Sequence, residues 1–588
     1  MGKIHIPVGT SNFAEIRKEH YYFIDKSGLI EELLKTDGTK VTLITRPRRF
    51  GKTLAMSMLA EFFDIQKDSS ELFQGLSIAN HGQLCKSWMN QYPTLFLTFK
   101  DVGGNTFDSA YEMLRDVLAK ACNAHYYLKD SDLVNENDKK VFLQLADIVD
   151  GKPTGGQVKT GIALLLRMLH AHYKKPAILL LDEYDVPIAK AKEDSLNSTD
   201  YYRSMMEVIS PMVSSAIKDN DHLKFAVITG CLKITKESIF TGTNNFVSDT
   251  ISDTRLNEYF GFTQEEVDRL LTDTGLTGHG AEIKEWYDGY HFGAFDIYCP
   301  WDVMNHVKNL LLNPAIKPVG YWKNSSSNSI IRSFINHIGD GVTQKFEMLL
   351  AGNYIIEKVE TDLTYRELYT SEGNFWSVLY LTGYLTQIRG QDLGKNLQKD
   401  YMALVIPNQE IKELFESTIK IWFEESTLKW DRTSLFTAIW ERHPEIVTLE
   451  MTKLLRKTIS YYDYKEDFYH AFFAGIFAGA GYTVESNREH GEGRSDIVVK
   501  DYGGDRLAVF EIKYSKSQKE LEKDCEQALI QMNDRMYAKE FEEDYADILC
   551  YGISFFKKRC LVKLKEAGEE SEGEASLSTG RNSGLRAF

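Results

Sequence analysis

The chain has 588 residues, of which 43% are hydrophobic and 26% are charged, and its formal net charge is −16 at pH 7. This length exceeds what one hydrophobic core supports, so we expect several domains of ordinary globular composition. The acidity disfavours indiscriminate binding of nucleic acid by the whole surface, but it leaves room for a local basic groove.

The first informative stretch combines a strand, a loop and a helix. The apolar run Val41–Ile44 precedes the tetrapeptide Phe50–Thr53, and apolar residues at helical spacing follow it. In a phosphate-binding loop, backbone N–H groups at the helix N-terminus face the phosphates. Lys52 then reaches the β- and γ-phosphate oxygens, Thr53 binds Mg²⁺, and Gly51 permits the turn. The sequence therefore predicts a nucleotide site here.

Three arginines make this loop unusual. Arg46 stands where the general phosphate-loop pattern has its first glycine, and Arg48 and Arg49 follow. Two interpretations remain open. The arginines contact phosphates of the nucleotide bound to the same chain, or they act on a neighbouring subunit as arginine fingers. Arg46 and Arg49 are accordingly candidate nucleotide-binding residues.

Two later strands supply polar residues at their ends. The apolar run Ala177–Leu181 ends in Asp182 and Glu183, and the run Lys224–Thr229 ends in a hydroxyl. In an ATPase of this type, an acid such as Asp182 holds Mg²⁺ and the following Glu183 orients the attacking water. Thr229 is then positioned to sense the γ-phosphate. Taken singly, each is also compatible with an ordinary strand end.

The order of elements predicts an α/β fold with a mainly helical middle. Strand candidates alternate with helices over residues 1–290, which predicts an ATPase domain with a parallel sheet covered on both faces. Residues 291–454 form a mainly helical middle region, and 455–565 a second α/β domain. The tail 566–588 is rich in Glu, Ser and Gly and is expected to be disordered. The strand candidates of the first domain are Val41–Thr45, Thr94–Phe99, Ala177–Leu181 and Lys224–Thr229.

A second group of chemical residues lies near the C-terminus. The predicted strands Ser495–Val499 and Leu507–Tyr514 flank a turn, so that Asp496 lies beside Glu511 and Lys513. Such carboxylates bind Mg²⁺, and the lysine acts on the nucleophile of phosphodiester hydrolysis. Glu466 is a candidate third acidic ligand. The alternative is a surface ion-pair ladder across the hairpin.

The motifs RPRRFGKT, LLLDEYDVPI, ITGCLKITKESIFTGTNNF, WYDGYHFG and GRSDIVVK…FEIKY occur in this order. Together they resemble the bacterial AAA-ATPase-like proteins that carry a C-terminal nuclease domain of the PD-(D/E)xK superfamily. The resemblance implies ATP binding and a restriction-endonuclease-like C-terminal fold. Arg46 matches the pattern of that family. The arginine that the family usually carries after the fourth strand is Lys233 here.

These observations lead to two functional hypotheses. The first is an ATPase, with ATP and Mg²⁺ as cofactors, that controls a metal-dependent nuclease acting on nucleic acid, with DNA favoured over RNA. Between Leu455 and Lys565 the chain has 18 basic against 20 acidic residues, a net of −2, so this segment is less acidic than the rest. The second is a nucleotide-gated switch whose C-terminal domain binds a partner without cleavage. A homo-oligomer is compatible with either hypothesis.

The sequence also predicts the compartment. No segment approaches the roughly 18 consecutive apolar residues of a membrane span, and the N-terminus lacks the apolar stretch of a signal peptide. The seven cysteines are scattered without a C-x-x-C pair, which fits a reducing environment. We therefore expect a cytoplasmic protein without membrane association.

Overall fold

A computed structural model of the chain divides into two compact units, Met1–Ile419 and Lys420–Phe588. None of the described helices is both long and apolar enough to cross a membrane. The structure describes residues 4–35, 38–147, 153–194, 199–233, 239–240, 245–322, 340–363, 367, 371–389, 393, 397–398, 400–418, 433–458, 476–477, 482–486, 489–490, 493–494, 496–501, 505–534 and 541–565.

A five-stranded parallel sheet forms the centre of the first unit, in the order β2-β3-β4-β1-β5. β1 and β3 are buried along their whole length, as expected of strands covered on both faces. The predicted parallel sheet and its four strands are confirmed. The fifth strand was not predicted, because its sequence Phe-Val-Ser-Asp has no apolar run. The strands are β1 Val41–Thr45, β2 Thr94–Thr98, β3 Ala177–Asp182, β4 Leu223–Gly230 and β5 Phe246–Asp249.

Helices cover this sheet and carry most of its apolar packing. Residues 46–51, called the phosphate loop below, connect β1 to the helix Lys52–Phe63. This helix buries Met56, Leu59 and Phe63 in the core. The α-helices up to residue 290 are Phe13–Lys18, Gly28–Leu34, Lys52–Phe63, Ser70–Phe73, Gly82–Trp88, Phe107–Ala124, Glu136–Leu145, Gly155–Lys159, Gly161–Tyr173, Val186–Asp194, Thr199–Ile217, Gln264–Thr274 and Gly280–Tyr287. The 3₁₀ helices are Ser77–Asn80, Tyr126–Asp130, Asn257–Tyr259 and Thr277–His279.

The middle region, expected over residues 291–454, belongs to the same compact unit only as far as Ile419, and its last part belongs to the second unit. The α-helices of its first part are Pro300–Leu312, Asp340–Leu350 and Glu372–Leu381, and residues 409–418 are also helical. A hairpin of β6 Tyr290–Phe292 and β7 Phe295–Ile297 precedes them. The sequence did not predict the small antiparallel sheet of order β8-β10-β9, built from β8 Ile355–Lys358, β9 Thr386–Ile388 and β10 Tyr401–Val405.

The middle region packs against the phosphate loop. Gly383 has φ +86, and a Cβ at this position would come within 2.9 Å of Pro47 Cβ. Only glycine therefore suits both the backbone conformation and the space. A hydrogen bond of 3.1 Å between the Ser252 and Tyr380 hydroxyl groups also links the middle region to the segment that follows β5. Contacts far apart in sequence thus support the loop from outside the sheet.

The second unit contains a five-stranded sheet of order β11-β14-β15-β16-β17. β14 and β15 are antiparallel with Ile497 opposite Phe510, which confirms the predicted strand pair. The strands are β11 Thr483–Ser486, β14 Ile497–Asp501, β15 Arg506–Tyr514, β16 Asp547–Phe556 and β17 Arg559–Leu564, with β12 Glu489–His490 and β13 Gly493–Arg494 forming a separate pair. The α-helices are Thr433–Trp440, Pro444–Thr458 and Leu521–Asp534. Glu466 and the tail 566–588 lie outside the described residues.

A buried ion pair joins β5 to the loop that follows β1. Arg46 is fully buried, and its Nη2 lies 2.6 Å from Asp249 Oδ1. Its Nη1 donates to the backbone carbonyls of Thr45 and Asp249, at 2.8 and 2.9 Å. The guanidinium also lies over the Phe260 ring, 5.2 Å from its centroid. In this conformation Arg46 is engaged within the fold, and its contact with nucleotide stays a prediction.

We expect Asp249→Asn to lower the free energy of unfolding of the first unit by about 3–5 kcal/mol, because it leaves the buried Arg46 charge without a partner. The matched control is Asp138→Asn, which removes the same charge from the more exposed bidentate pair with Arg167. Its loss should be about 1 kcal/mol or less. Urea unfolding of the full chain measures both, and equal losses would contradict the buried pair's importance.

Candidate functional site

The phosphate loop connects β1 to the helix Lys52–Phe63 through two left-handed residues. Arg49 has φ +74 and Gly51 has φ +82, and Gly51 is the residue that caps the helix N-terminus. The first N–H groups of the helix have no partner within it and face the concave side of the loop. The backbone thus has the conformation that an anion-binding helix terminus requires.

The structure brings Thr53, Asp182 and Thr229 together at the carboxyl ends of three strands. The Thr53 hydroxyl donates to Asp182 Oδ2 at 2.9 Å, and the Thr229 hydroxyl donates to Oδ1 at 2.6 Å. The Thr98 hydroxyl, at the end of β2, donates to Oδ2 at 3.3 Å. Asp182 is fully buried. The carboxylate is therefore held in one orientation by hydroxyl groups from three separate elements.

Lys52 points back into its own loop. Its ammonium is buried and donates to the carbonyls of Arg46 and Pro47, at 3.0 and 2.8 Å. It also lies 3.8 Å from Cys231 Sγ. The ammonium of Lys52 is thus held by backbone carbonyls of the loop.

Glu183 lies beside Lys52 in a strained conformation. Its φ is +54, and its backbone N–H donates to Thr229 Oγ1 at 3.4 Å. Burial raises the pKa of Glu183, whereas the nearby Lys52 charge opposes this rise. A positive φ is uncommon for residues other than glycine and is concentrated at functional sites.

Asp185, the next acid along the chain, has a different environment. Its Oδ2 accepts hydrogen bonds from the backbone N–H groups of Cys231 and Leu232, both at 3.0 Å. Burial raises the pKa of this carboxyl. Asp185 therefore fixes the chain that follows β4.

A cavity of about 370 Å³ opens beside the loop. Lys52, Thr53 and Glu183 line one part of it, and apolar side chains line the rest. The sequence did not predict the apolar lining, because the aromatic block of residues 286–305, which contains Trp301 and Met304, is typical of ordinary core packing. The N-terminal residues 7–11 were also missed, since nothing in their sequence marks a site. The main apolar lining residues are Phe23, Phe262, Trp301 and Met304.

Two other basic residues connect the site with the middle region. Arg49 lines the cavity, and its guanidinium lies 4.8 Å from the centroid of the Trp301 ring. Its Nη1 donates to the Tyr321 carbonyl at 3.1 Å. Lys233 forms an ion pair of 2.5 Å with Asp362. The structure therefore places Arg49 at the cavity beside the loop and directs Lys233 toward the middle region.

The C-terminal candidates lie on neighbouring strands of the second unit. Asp496 Oδ2 accepts a hydrogen bond from the Ile512 backbone N–H at 2.7 Å, between Glu511 and Lys513. Lys513 Nζ lies 3.2 Å from Glu511 Oε1, and the Gln531 amide donates to the same oxygen. The Glu511 side chain is only 1% exposed. Asp496, Glu511 and Lys513 are thus brought together as predicted from the hairpin.

The oxygen donors at both sites fit a hard divalent cation. Thr53 with Asp182, and Asp496 with Glu511, offer hydroxyl and carboxylate oxygens of the kind that Mg²⁺ takes. Within the ranges that the structure describes, no three His, Cys, Asp or Glu side chains form a metal-binding group. Glu466, the predicted third ligand, is outside these ranges.

Comparison with known proteins gives a family match for the region of each candidate site. Residues 7–240 match a family model described as a predicted AAA-ATPase, and residues 464–565 match one of the PD-(D/E)XK nuclease superfamily. The resemblance found in the motifs is thereby confirmed. A relative from Azotobacter chroococcum mcd 1, named "Uncharacterized protein in vnfD 5'region", is 25% identical over 565 residues. The match covers 94% of this chain and 97% of the relative, whose name states no activity.

We expect Thr229→Val to destabilise the first unit by about 1–3 kcal/mol, because it removes the shorter hydroxyl donor to a buried carboxylate. Thr98→Val is the matched control, since it removes a longer bond of 3.3 Å to the same residue, Asp182. Its effect should be clearly smaller. Urea unfolding compares the two variants, and a larger loss in Thr98→Val would refute this ranking.

Proposed function

We propose that this protein, which joins an AAA-ATPase-like region to a region of the PD-(D/E)XK nuclease superfamily, hydrolyses ATP to control metal-dependent cleavage of nucleic acid. The observation that carries the proposal is the meeting of Thr53 and Asp182, 2.9 Å apart, beside Lys52. A hydroxyl at the helix start, a strand-end acid and a loop lysine are the parts that a P-loop NTPase uses.

Each residue would have a distinct task at the nucleotide site. Thr53 and Asp182 would hold Mg²⁺, which neutralises charge on the phosphates when bound. Lys52 would exchange its loop carbonyls for β- and γ-phosphate oxygens. Glu183 would orient the attacking water, and Thr229 would keep Asp182 aligned through its 2.6 Å hydrogen bond.

The cavity supports a nucleoside triphosphate as the ligand. Its volume of about 370 Å³ lies within the range of small-molecule sites, roughly 300–1,000 Å³. Its apolar lining, with Trp301 and Phe262, suits a nucleobase, while Lys52 and Thr53 suit the phosphates. One continuous cavity thus combines the two kinds of surface that ATP requires.

At the C-terminal site, Asp496 and Glu511 would bind the metal ion. A bound divalent metal lowers the pKa of its water and stabilises charge on a phosphodiester. Lys513, beside Glu511, would position or help deprotonate the nucleophile. The substrate would be a nucleic acid, with DNA favoured over RNA.

A second candidate function is a nucleotide-gated switch that binds a partner without cutting it. One observation favours it. Glu511 Oε1 already has both Lys513 and Gln531 as partners, so this oxygen is satisfied without a metal ion. In this case ATP would change partner binding, and divalent metal would leave the second unit unaffected.

Lys52→Ala should abolish ATP binding, because it removes the ammonium that contacts the phosphates. Titration calorimetry measures this loss.

Glu183→Gln should bind ATP but hydrolyse it slowly. Since the pKa of Glu183 is raised, wild-type hydrolysis should begin to fall at a higher pH than it would with a glutamate of ordinary pKa. Any residual activity of Glu183→Gln should not show this fall. Titration calorimetry and steady-state hydrolysis across pH test this, and wild-type turnover by Glu183→Gln would move the water-orienting role elsewhere.

Mg²⁺ or Mn²⁺ should raise the melting temperature of the second unit in the wild-type chain, because a ligand that binds only the folded state stabilises it. Asp496→Asn should lose both this response and nucleic-acid cleavage. Lys513→Ala should keep the metal response and lose cleavage. If melting ignores both metals and no substrate is cut, with or without ATP, the switch replaces the nuclease.

A further inference from the structure

A buried pair of acids lies near the phosphate loop and has no task in the proposed hydrolysis. Asp302, in the first turn of the helix Pro300–Leu312, is fully buried, and Glu410 is 2% exposed. Their carboxyl groups are within hydrogen-bonding reach of each other. Among the described residues, no N–H or hydroxyl group donates to either oxygen of Asp302 or to Glu410 Oε2. A proton held between the two carboxyl groups would supply the missing donor.

Burial raises the pKa of both carboxyl groups, so the pair retains a proton near neutral pH. Burial, and then the charge of Asp302, raise the pKa of Glu410 to about 10. Burial raises the pKa of Asp302 to about 6. Hydrogen bonds with Cys299 and Glu410, and then the positive charge of Arg49, limit this rise. Glu410 is therefore the more basic carboxyl group of the pair, and Arg49 favours the ionised form of Asp302.

Arg49 is connected to this pair through a single peptide unit. Its Nη1 donates to the Tyr321 carbonyl at 3.1 Å, and the Trp322 N–H donates to Glu410 Oε1 at 2.7 Å. The carbonyl and the N–H belong to the same peptide bond, so the arginine and the acid polarise it in the same direction. Trp301, which carries the Arg49 guanidinium on its ring, is the residue before Asp302. Arg49 is thus held on the side of the loop where Asp302 and Glu410 lie.

We propose that the Asp302–Glu410 pair positions Arg49 in the nucleotide-free loop, and that nucleotide binding draws Arg49 to the phosphates while Asp302 takes up a proton from solvent. This inference rests on the proposed function, because it requires a nucleoside triphosphate at the loop. Arg49 lines the cavity together with Lys52 and Thr53, so the phosphates and the acid pair compete for one guanidinium.

The direction of proton movement follows from the charges. When Arg49 leaves, Asp302 remains buried without its counter-charge, so its pKa rises and it binds a proton. Nucleotide binding should then take up as much as one proton and become tighter as the pH falls. The groups that influence the pair are Arg49 from the loop, Tyr287, Tyr290 and Cys299 from the preceding segment, and Tyr321. The positive charge of Arg48 acts on Arg49. Burial raises the pKa of Tyr290 and of Cys299 well above its ordinary value, so both stay neutral.

The test is calorimetric titration of the full chain with MgATP near pH 7, in HEPES and in Tris, whose ionisation heats differ. The wild-type chain should take up a measurable fraction of a proton. Asp302→Asn should take up none beyond that of the nucleotide itself. It should also bind about 5-fold tighter or more, since it no longer competes for Arg49. Arg49→Ala should likewise lose the uptake.

Glu410→Gln is the matched control, because glutamine imitates the neutral, protonated acid and can still accept from Trp322. It should keep the proton uptake and a nearly unchanged affinity. Wild-type binding of MgATP without proton uptake would overturn the inference and leave the proposed function standing. Weaker binding by Asp302→Asn, or equal responses of Asp302→Asn and Glu410→Gln, would also overturn it. Absence of any MgATP binding would remove the proposed function and this inference with it.

Discussion

The parallel pairing of β3 with β2 and β4 is the constraint on which the first unit depends. Parallel strands in register end at the same edge of a sheet, so Asp182, Thr98 and Thr229 must meet there. The Thr229 and Thr98 hydroxyl groups then hold the carboxylate by hydrogen bonds of 2.6 and 3.3 Å. Thr53 joins them because the loop after β1 returns over the same edge. Strand register therefore fixes the position of the site first, and the loops complete it.

The parts of this site that the sequence predicts are those with a local signal. An apolar run that ends in a polar residue marks a strand end, and glycine followed by lysine and threonine marks an anion-binding helix start. Partners far away in the chain carry no such signal. Asp249 meets Arg46 over 203 residues of separation, and Glu410 meets the Trp322 N–H over 88. These contacts depend on packing of whole elements, which residue types alone do not specify.

The second unit shows the same division. The hairpin signal predicts β14 and β15, and with them the neighbourhood of Asp496 and Glu511. It does not predict that Gln531, from a helix, would reach the Glu511 carboxylate. Nor does it predict that β15 pairs in parallel with β16, which places that helix over the sheet between them. A crossover connection leaves no local pattern at the residues that it brings together.

The contact between Gly383 and Pro47 also determines how this protein can be divided. Residues 1–290 contain every strand of the parallel sheet and the whole phosphate loop, and they look self-sufficient in sequence. Yet the compact unit extends to Ile419. A fragment cut after residue 290 would expose Pro47 where Gly383 now packs and would remove the Tyr321 carbonyl from Arg49. The shortest piece with an intact loop therefore has to extend at least as far as Gly383.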